Sequence, residues 1–174
     1  MKMKILRMGV IAAGLVFMLG YFTNHIKAME FLRLSPHQVL LPLRPVDPRA
    51  FMQGDFMALA YAQSARPKVE GDDELPPKGI AVLSLDENGV GSFLRLSDQA
   101  AREHKDVITM KFTDNSRAPY GGARYFFEEG TAEAFEDADY GVFKVDGYGN
   151  AMLIGLADEN FEIIVAQSPV NQNN

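Results

Sequence analysis

The sequence has 174 residues, contains no cysteine, and carries 17 basic and 23 acidic residues for a formal net charge of −6 at pH 7. The absence of cysteine excludes disulfides, thiol catalysis and cysteine-ligated zinc. Residues 1–34 have a net charge of +4, and the remaining residues have a net charge of −10. The acidic remainder disfavours nucleic acid as a partner, because it repels the phosphate backbone.

The N-terminal segment is an uncharged apolar run over 8–22 that follows Lys2, Lys4 and Arg7. A membrane-spanning helix needs ~20 such residues, and no charged residue occurs between Arg7 and Lys27. We therefore expect an uncleaved signal anchor in the cytoplasmic membrane. Its basic flank places the N-terminus in the cytoplasm and the following domain in the periplasm or extracellular space. A cleaved signal peptide and a buried core helix are the alternatives.

Beyond the anchor, the dominant pattern is that of short strands separated by turns. Strands are predicted at 37–43, 55–62, 79–85, 90–97, 107–113, 123–127, 142–145, 151–156 and 161–165. The first is expected at a sheet edge because of Pro42, and the turns at 86–89 and 146–150 predict two hairpins. Short helical turns are expected at 47–53, 98–105 and 131–138, the last of them capped by Thr131. The pattern predicts a mainly β fold, in which one N-terminal transmembrane helix precedes an antiparallel β-sandwich or partly open barrel.

We accordingly divide the chain into three predicted parts. Residues 1–30 form the cytoplasmic basic tip and transmembrane anchor, 31–170 form the extracytoplasmic β-rich domain, and 171–174 form a disordered tail.

The stretch over 45–61, PVDPRAFMQGDFMALAY, constrains the backbone more than any other part of the sequence. Asp47 is a favoured N-cap and Pro48 a favoured first helical residue, so a short helical turn is expected before Gly54. Both faces of the strand that follows are apolar, which predicts a central or doubly covered strand.

Part of this stretch, GDFMALAY, resembles the motif of the GDYXXLXY family of membrane-anchored proteins, with Phe56 in place of the motif's first tyrosine. The preceding PVDPR is typical of the same family, and RYFFEEG at 124–130 resembles its second signature, RYFVPEG. The resemblance spans nearly the whole chain and implies that certain residues are structural: Pro45, Pro48, Gly54, Leu59, Tyr61 and Gly130. The family is often encoded beside multi-pass membrane proteins, which implies a membrane-protein partner.

Two signature segments, the turn at 47–55 and the strand end at 123–130, place charged residues beside aromatic ones at strand ends, where binding surfaces commonly form. We therefore predict that the segments lie close together and form a candidate binding rim of Asp47, Arg49, Asp55, Arg124, Tyr125 and Glu129.

No catalytic residue, metal ligand or cofactor is assigned from the sequence. The histidines at 25, 37 and 104 lack metal-ligand spacing. The Gly-Asp step before an apolar strand resembles signal-peptidase-like Ser/Lys proteases in shape, but Val46 stands where their nucleophilic serine would be. The leading hypothesis is a non-enzymatic accessory or binding subunit of a membrane or envelope complex. The alternative is an envelope hydrolase whose carboxylates the sequence alone cannot pair.

Overall fold

The structure is a computed structural model that describes residues 2–44, 56–69, 74–100, 106–113 and 117–166. It divides the chain into two compact units, Met1–Leu34 and Ser35–Asn174. The predicted helical turn at 47–53 and the tail at 171–174 lie outside the described residues, as does most of the predicted turn at 98–105.

The first unit contains a single α-helix, α1 (Lys2–Arg33). Within it, the 27-residue segment Arg7–Arg33 is long and apolar enough to cross a membrane, and an 18-residue stretch of it has a mean hydropathy of 1.5. A signal sequence near the N-terminus has the same properties. The helix ends shortly before Pro36, which has no amide hydrogen to continue the helical hydrogen bonds.

The second unit consists mainly of antiparallel strands, as predicted. The strands are β1 (His37–Pro42), β2 (Phe56–Ala58), β3 (Lys78–Leu85), β4 (Gly91–Ser97), β5 (Val107–Thr113), β6 (Arg124–Phe126), β7 (Tyr140–Val145) and β8 (Ala151–Ala157). They form two three-stranded sheets, β1-β7-β8 and β4-β3-β5, and the two-stranded sheet β2-β6. Short 3-10 helices occupy Gln63–Ala65 and Ala132–Phe135.

The two three-stranded sheets share one hydrophobic core. Buried side chains from both sheets form it, among them Val39, Leu41, Leu83, Met110, Phe143 and Val145. Backbone hydrogen bonds also join the sheets at two places, from Leu40 N to Gly89 O at 3.0 Å and from Lys111 N to Gly149 O at 2.8 Å. The arrangement is therefore a sandwich whose sheets are partly joined at their edges.

The structure confirms both predicted hairpins and the edge position of β1. It corrects two other predictions. The predicted strand over 161–165 is only an isolated bridge between Ala157 and Ile163. Thr131 does not cap the following helix with its side chain; its hydroxyl instead donates to the Glu128 carbonyl at 2.7 Å.

Candidate functional site

The first three described residues of the motif lie beside the second signature, because β2 pairs antiparallel with β6. Phe56 is opposite Phe126, Met57 is opposite Tyr125, and Ala58 is opposite Arg124. The pairing places residues 56–58, which directly follow the predicted turn at 47–55, beside the second signature. The predicted closeness of the turn itself stays a prediction. The other residues predicted in the first segment lie outside the described residues: Pro45, Asp47, Pro48, Arg49, Gly54 and Asp55.

The residues 59–62 that follow β2, which we call the motif segment, form backbone hydrogen bonds on both sides. On one side, Arg44 N donates to Ala60 O at 2.7 Å and Ala62 N donates to Pro42 O at 2.8 Å. On the other side, Leu59 N donates to Ala123 O at 2.9 Å and Tyr61 N donates to Arg117 O at 3.0 Å. The predicted strand is thus central over 59–62. Its regular part is shorter than expected, and its second face is open at Ala58, which is exposed.

Tyr61, the last residue of the motif, is a core side chain with 1% of its surface exposed. Its ring packs against Phe143 at a centroid distance of 5.7 Å, and its hydroxyl donates to Gly122 O at 3.2 Å. Two glycines leave room for it: a Cβ added at Gly122 or at Gly141 would come within 3.0 Å of a Tyr61 side-chain atom. Burial raises the pKa of the Tyr61 hydroxyl.

The inner face of the β2-β6 pair is an aromatic packing layer. Tyr125 contacts Phe135 edge-on at a centroid distance of 5.2 Å, and Phe127 stacks on the same ring at 5.5 Å. Tyr125 also packs against the cluster that contains Met57 and Leu59. Burial raises its pKa. Tyr125 therefore contributes to packing and faces away from Arg124, its neighbour in the predicted rim.

The outer face carries Phe56, Ala58, Arg124 and Phe126, and we call these four residues the signature face. The Arg124 guanidinium carbon lies 5.1 Å from the centroid of the Phe56 ring, within the range of a cation–π contact. Phe56 and Phe126 have ring centroids 5.8 Å apart. Phe126 is 68% exposed, so the second signature presents an aromatic ring to solvent.

The predicted rim residue Glu129 and the motif residue Gly130 lie in a turn after β6. Thr131 N donates to Glu128 O at 3.1 Å across this turn. Gly130 has a φ of 82°, which the third position of a type II turn requires and which glycine adopts without a Cβ clash. Glu129 is exposed beside it. The structure thus gives Gly130 a conformational role.

A pocket that the sequence analysis missed lies beside the motif. Its volume is about 200 Å³, and the described residues that line it are Arg44, Ala60, Tyr61, Arg66 and Arg117. The three arginines are 22 and 51 residues apart along the chain. No local pattern joins them, so only the fold reveals the site. We call it the arginine pocket.

The described residues contain no group of three or more histidine, aspartate or glutamate side chains that could hold a metal ion.

The fold and the site define a β-rich domain preceded by an apolar N-terminal helix, in which two paired signature strands expose an arginine and an aromatic ring. The family model described as "GDYXXLXY protein" matches residues 19–156, and the chain therefore belongs to the GDYXXLXY family. No curated protein and no solved structure gives a significant match.

Proposed function

We propose that the protein is a membrane-anchored, extracytoplasmic binding subunit of a membrane or envelope complex, without catalytic activity of its own. The observation that supports this proposal best is the signature face. In it, strands from both family signatures combine Phe56, Arg124 and an exposed Phe126 on one surface.

The composition of the signature face suits contact with another protein. Aromatic residues and arginine are enriched in protein interfaces and among the residues that contribute most to binding. An exposed phenylalanine gains free energy when a partner removes it from water, at roughly 25 cal/mol per Å² of apolar surface. The ring of Phe56 also limits the freedom of the Arg124 side chain, which lowers the entropy lost on binding.

The proposed partner is a protein of the same membrane. α1 would confine the domain to the membrane surface, where the local concentration of other membrane proteins is high. The partner's contact surface should be apolar, to cover Phe126, and should include a carboxylate for Arg124. In this proposal, Asp47, Arg49, Asp55 and Glu129 extend the contact surface as a charged rim.

Site-specific photocrosslinking in native membranes tests the proposal. A photoreactive phenylalanine analogue replaces Phe126 in one strain and Tyr148 in the other, because the two side chains are similarly exposed, at 68% and 71%. Tyr148 lies in the β7-β8 turn, away from the signature strands in sequence. We expect the Phe126 position to crosslink one integral membrane protein in stoichiometric yield and the Tyr148 position not to do so.

Substitutions provide the matching loss-of-binding experiment. Phe126→Ser and Asp55→Asn should leave the melting temperature nearly unchanged. Each should lower recovery of the same partner in affinity purification without a crosslinker, by about tenfold for Phe126→Ser. Tyr148→Ser is the control and should retain full recovery. Equal crosslinking at positions 126 and 148, or purification of the protein with no stoichiometric membrane partner, would contradict the proposal. If Asp55→Asn melts the domain, Asp55 is a folding residue and leaves the proposed rim.

A further inference from the structure

The strand β6 has one backbone edge that faces away from β2. Leu59 N donates to Ala123 O at 2.9 Å, and this pair continues the register of the β2-β6 ladder. In an antiparallel ladder, pairs that are hydrogen-bonded to each other alternate with pairs that are not. The next bonded pair is therefore Met57 with Tyr125. The backbone groups of Tyr125 are directed at β2, and those of its two neighbours are directed away from it.

These neighbours, Arg124 and Phe126, form an edge that can accept another strand. Within the described part of the chain, β2 is the one strand that pairs with β6. Both residues are exposed, and each directs one N–H and one C=O group outward. Outward backbone groups of this kind are a template for pairing with a further strand. We call this set of groups the β6 edge.

The β6 edge is complementary to itself. When two copies of β6 run antiparallel with a two-fold axis between their Tyr125 residues, Arg124 of each copy lies opposite Phe126 of the other. Both of these pairs are then of the bonded type, so every N–H group of one edge meets a C=O group of the other. Two-fold interfaces that use the same surface on both copies are the commonest kind in homo-oligomers.

The side chains on the outer face match at the same register. Arg124 already lies against one aromatic ring, with its guanidinium carbon 5.1 Å from the centroid of Phe56. In the paired strands, Phe126 of the second copy would be the direct cross-strand neighbour of Arg124, which places the guanidinium between two rings. The exposed ring of Phe126 would in turn gain a cation as its neighbour.

The two adjacent registers are less favourable. One of them places Arg124 opposite Arg124 of the second copy, and like charges in this position destabilise a strand pair. The other places Phe126 opposite its counterpart and requires Glu128 as the next bonded residue. The Glu128 carbonyl already accepts the Thr131 amide at 3.1 Å and the Thr131 hydroxyl at 2.7 Å. The register centred on Tyr125 avoids both conflicts.

We propose that two copies of the protein associate by antiparallel pairing of their β6 strands, centred on Tyr125, so that their β2-β6 sheets join into one. This contact uses a strand edge and leaves the outer face open to the membrane partner, so it goes beyond the proposed function. Strands of three residues bury much less surface than the roughly 1,200–2,000 Å² of a stable interface. The pairing therefore relies on the proposed membrane anchoring, which concentrates the copies in one plane.

Disulfide trapping in native membranes tests the register, because the unmodified chain contains no cysteine. One copy carries Arg124→Cys, and a second copy with a different tag carries Phe126→Cys. Opposite residues of a bonded pair have Cα atoms about 5.5 Å apart, which a disulfide can bridge, whereas identical residues would be diagonal neighbours at about 7–8 Å. After oxidation with copper phenanthroline and correction for the statistical excess of mixed pairs, the mixed disulfide should exceed either same-residue disulfide at least about fivefold.

Tyr148→Cys is the matched control for random collisions, because Tyr148 is as exposed as Phe126, at 71% against 68%. We expect it to form little disulfide under the same conditions. The inference is overturned if position 148 or the same-residue combinations crosslink as well as the mixed pair does. The readout joins two copies of this chain, whereas the proposed function is tested by crosslinking to a different protein. The two proposals can therefore fail separately.

A charge exchange tests the same pairing without cysteine. Donor and acceptor fluorophores fused after Asn174 report association of two copies in one liposome by resonance energy transfer. Arg124→Glu should lower the transfer to the level of random collisions, because a carboxylate would face the negative surface of the Phe126 ring. Adding Phe126→Lys to the same chain should restore it, since each new carboxylate then lies opposite a new ammonium group. Unchanged transfer in Arg124→Glu, or no recovery in the double variant, would contradict the pairing.

Discussion

Tyr61 shows how a tyrosine of the family motif can be retained for packing and hydrogen bonding within the core. Its ring fills space between two glycines and Phe143, and its hydroxyl donates to the backbone carbonyl of Gly122. Tyr120 has a similar environment, with its hydroxyl bonded to Ala65 O. Burial raises the pKa of both hydroxyls, so the folded protein keeps both tyrosines neutral at pH values where an exposed tyrosine ionises.

This environment predicts a loss of stability in alkali. The unfolded chain releases the tyrosine protons above pH ~10, whereas the folded chain retains them. The free energy of unfolding should therefore fall as the pH rises beyond that value, by up to about 1.4 kcal/mol per pH unit for each buried tyrosine. Below pH ~10 this contribution is fully present. Urea unfolding of the full-length protein at pH 8 to 11 measures it.

Tyr61→Phe isolates the contribution of one hydroxyl. At pH 8 the variant should be less stable by about 1 kcal/mol, because it loses the hydrogen bond to Gly122 O. Above pH ~10 this deficit should shrink, because phenylalanine cannot ionise in the unfolded chain. Tyr148→Phe, at an exposed position, is the control and should follow the unmodified protein throughout. A Tyr61→Phe deficit that stays constant from pH 8 to pH 11 would refute this explanation.

At the scale of the element, one turn design recurs three times. The carboxylates of Asp86, Asp146 and Asp158 each accept backbone N–H bonds from the residues two and four positions later, at 2.8–2.9 Å. The fourth residue of each turn has positive φ: Gly89 at 80°, Gly149 at 76° and Phe161 at 65°. This is the pattern of a hairpin turn that ends in a left-handed residue.

The third turn explains why one strand prediction was wrong. The first two turns place glycine at the left-handed position, and glycine is a turn signal that the sequence displays. In the third, Phe161 occupies that position and packs on Tyr140 at a centroid distance of 5.2 Å. A phenylalanine normally indicates a strand, so local propensity favoured a strand over 161–165. The tertiary contact with Tyr140 decides the conformation instead.

The candidate site was predictable to the extent that its residues are neighbours in sequence. Charge beside aromatics in the two signatures predicted that the turn at 47–55 lies beside the strand end at 123–130. The β2-β6 pairing places the adjoining residues 56–58 there, while the turn itself lies outside the described residues. The direction in which Tyr125 points depends on Phe135, which no local pattern specifies. The arginine pocket was not predictable in this way, because Arg44 and Arg117 reach it only through backbone pairing with Ala60 and Tyr61, on opposite sides of the motif segment.

A glycine series tests how the loop before β6 accommodates Tyr61. Gly147 has no neighbour within 4 Å of an added Cβ, and Gly121 is equally open but has a φ of 85°. Gly122 combines a φ of 64° with Cβ distances of 3.0 Å to the Tyr61 hydroxyl and to Leu153. Replacement by alanine should therefore cause neither strain nor a clash at Gly147. It should cause backbone strain at Gly121, and both backbone strain and a steric clash at Gly122.

The expected losses in free energy of unfolding follow the same order. Gly147→Ala should change it by no more than about 0.5 kcal/mol, and Gly121→Ala should lower it by about 1–2 kcal/mol. Gly122→Ala should cost roughly 1–3 kcal/mol more than Gly121→Ala, as overpacking does. Thermal denaturation of the three variants measures the order. Equal losses for Gly121→Ala and Gly122→Ala would show that the close packing of Tyr61 against Gly122 does not contribute to the free energy of unfolding.

At the scale of the whole molecule, charge separates the two units. The first 34 residues are basic and contain the apolar helix, whereas the β domain has a net charge of −10. Because an acidic domain is repelled by anionic lipid surfaces, α1 would be the main attachment of the protein to the membrane. This division favours a domain that stands beside the membrane and binds a protein there, in agreement with the proposed function.

The proposed orientation depends on a small difference in flanking charge. Lys2, Lys4 and Arg7 precede the apolar run with no acidic residue among them, and Lys27 and Arg33 follow it with Glu30 between them. Basic flanks remain in the cytoplasm, so the N-terminus should stay inside and the β domain should be exported. An alkaline phosphatase fused after Asn174, which works only when exported, should then be active. The fusion should also stay in the carbonate-washed membrane at full length, as an uncleaved anchor requires.

Replacing Lys2, Lys4 and Arg7 together by glutamine tests the cause of this orientation. Because the basic residues after the run remain, the variant should lose much of its phosphatase activity while a cytoplasmic reporter fused at the same place gains activity. Replacing Arg95 and Lys144, far from the helix, is the control and should leave both reporters unchanged. An inactive phosphatase with an active cytoplasmic reporter in the unmodified protein would reverse the proposed topology, and a shortened protein released from the membrane would identify α1 as a cleaved signal sequence.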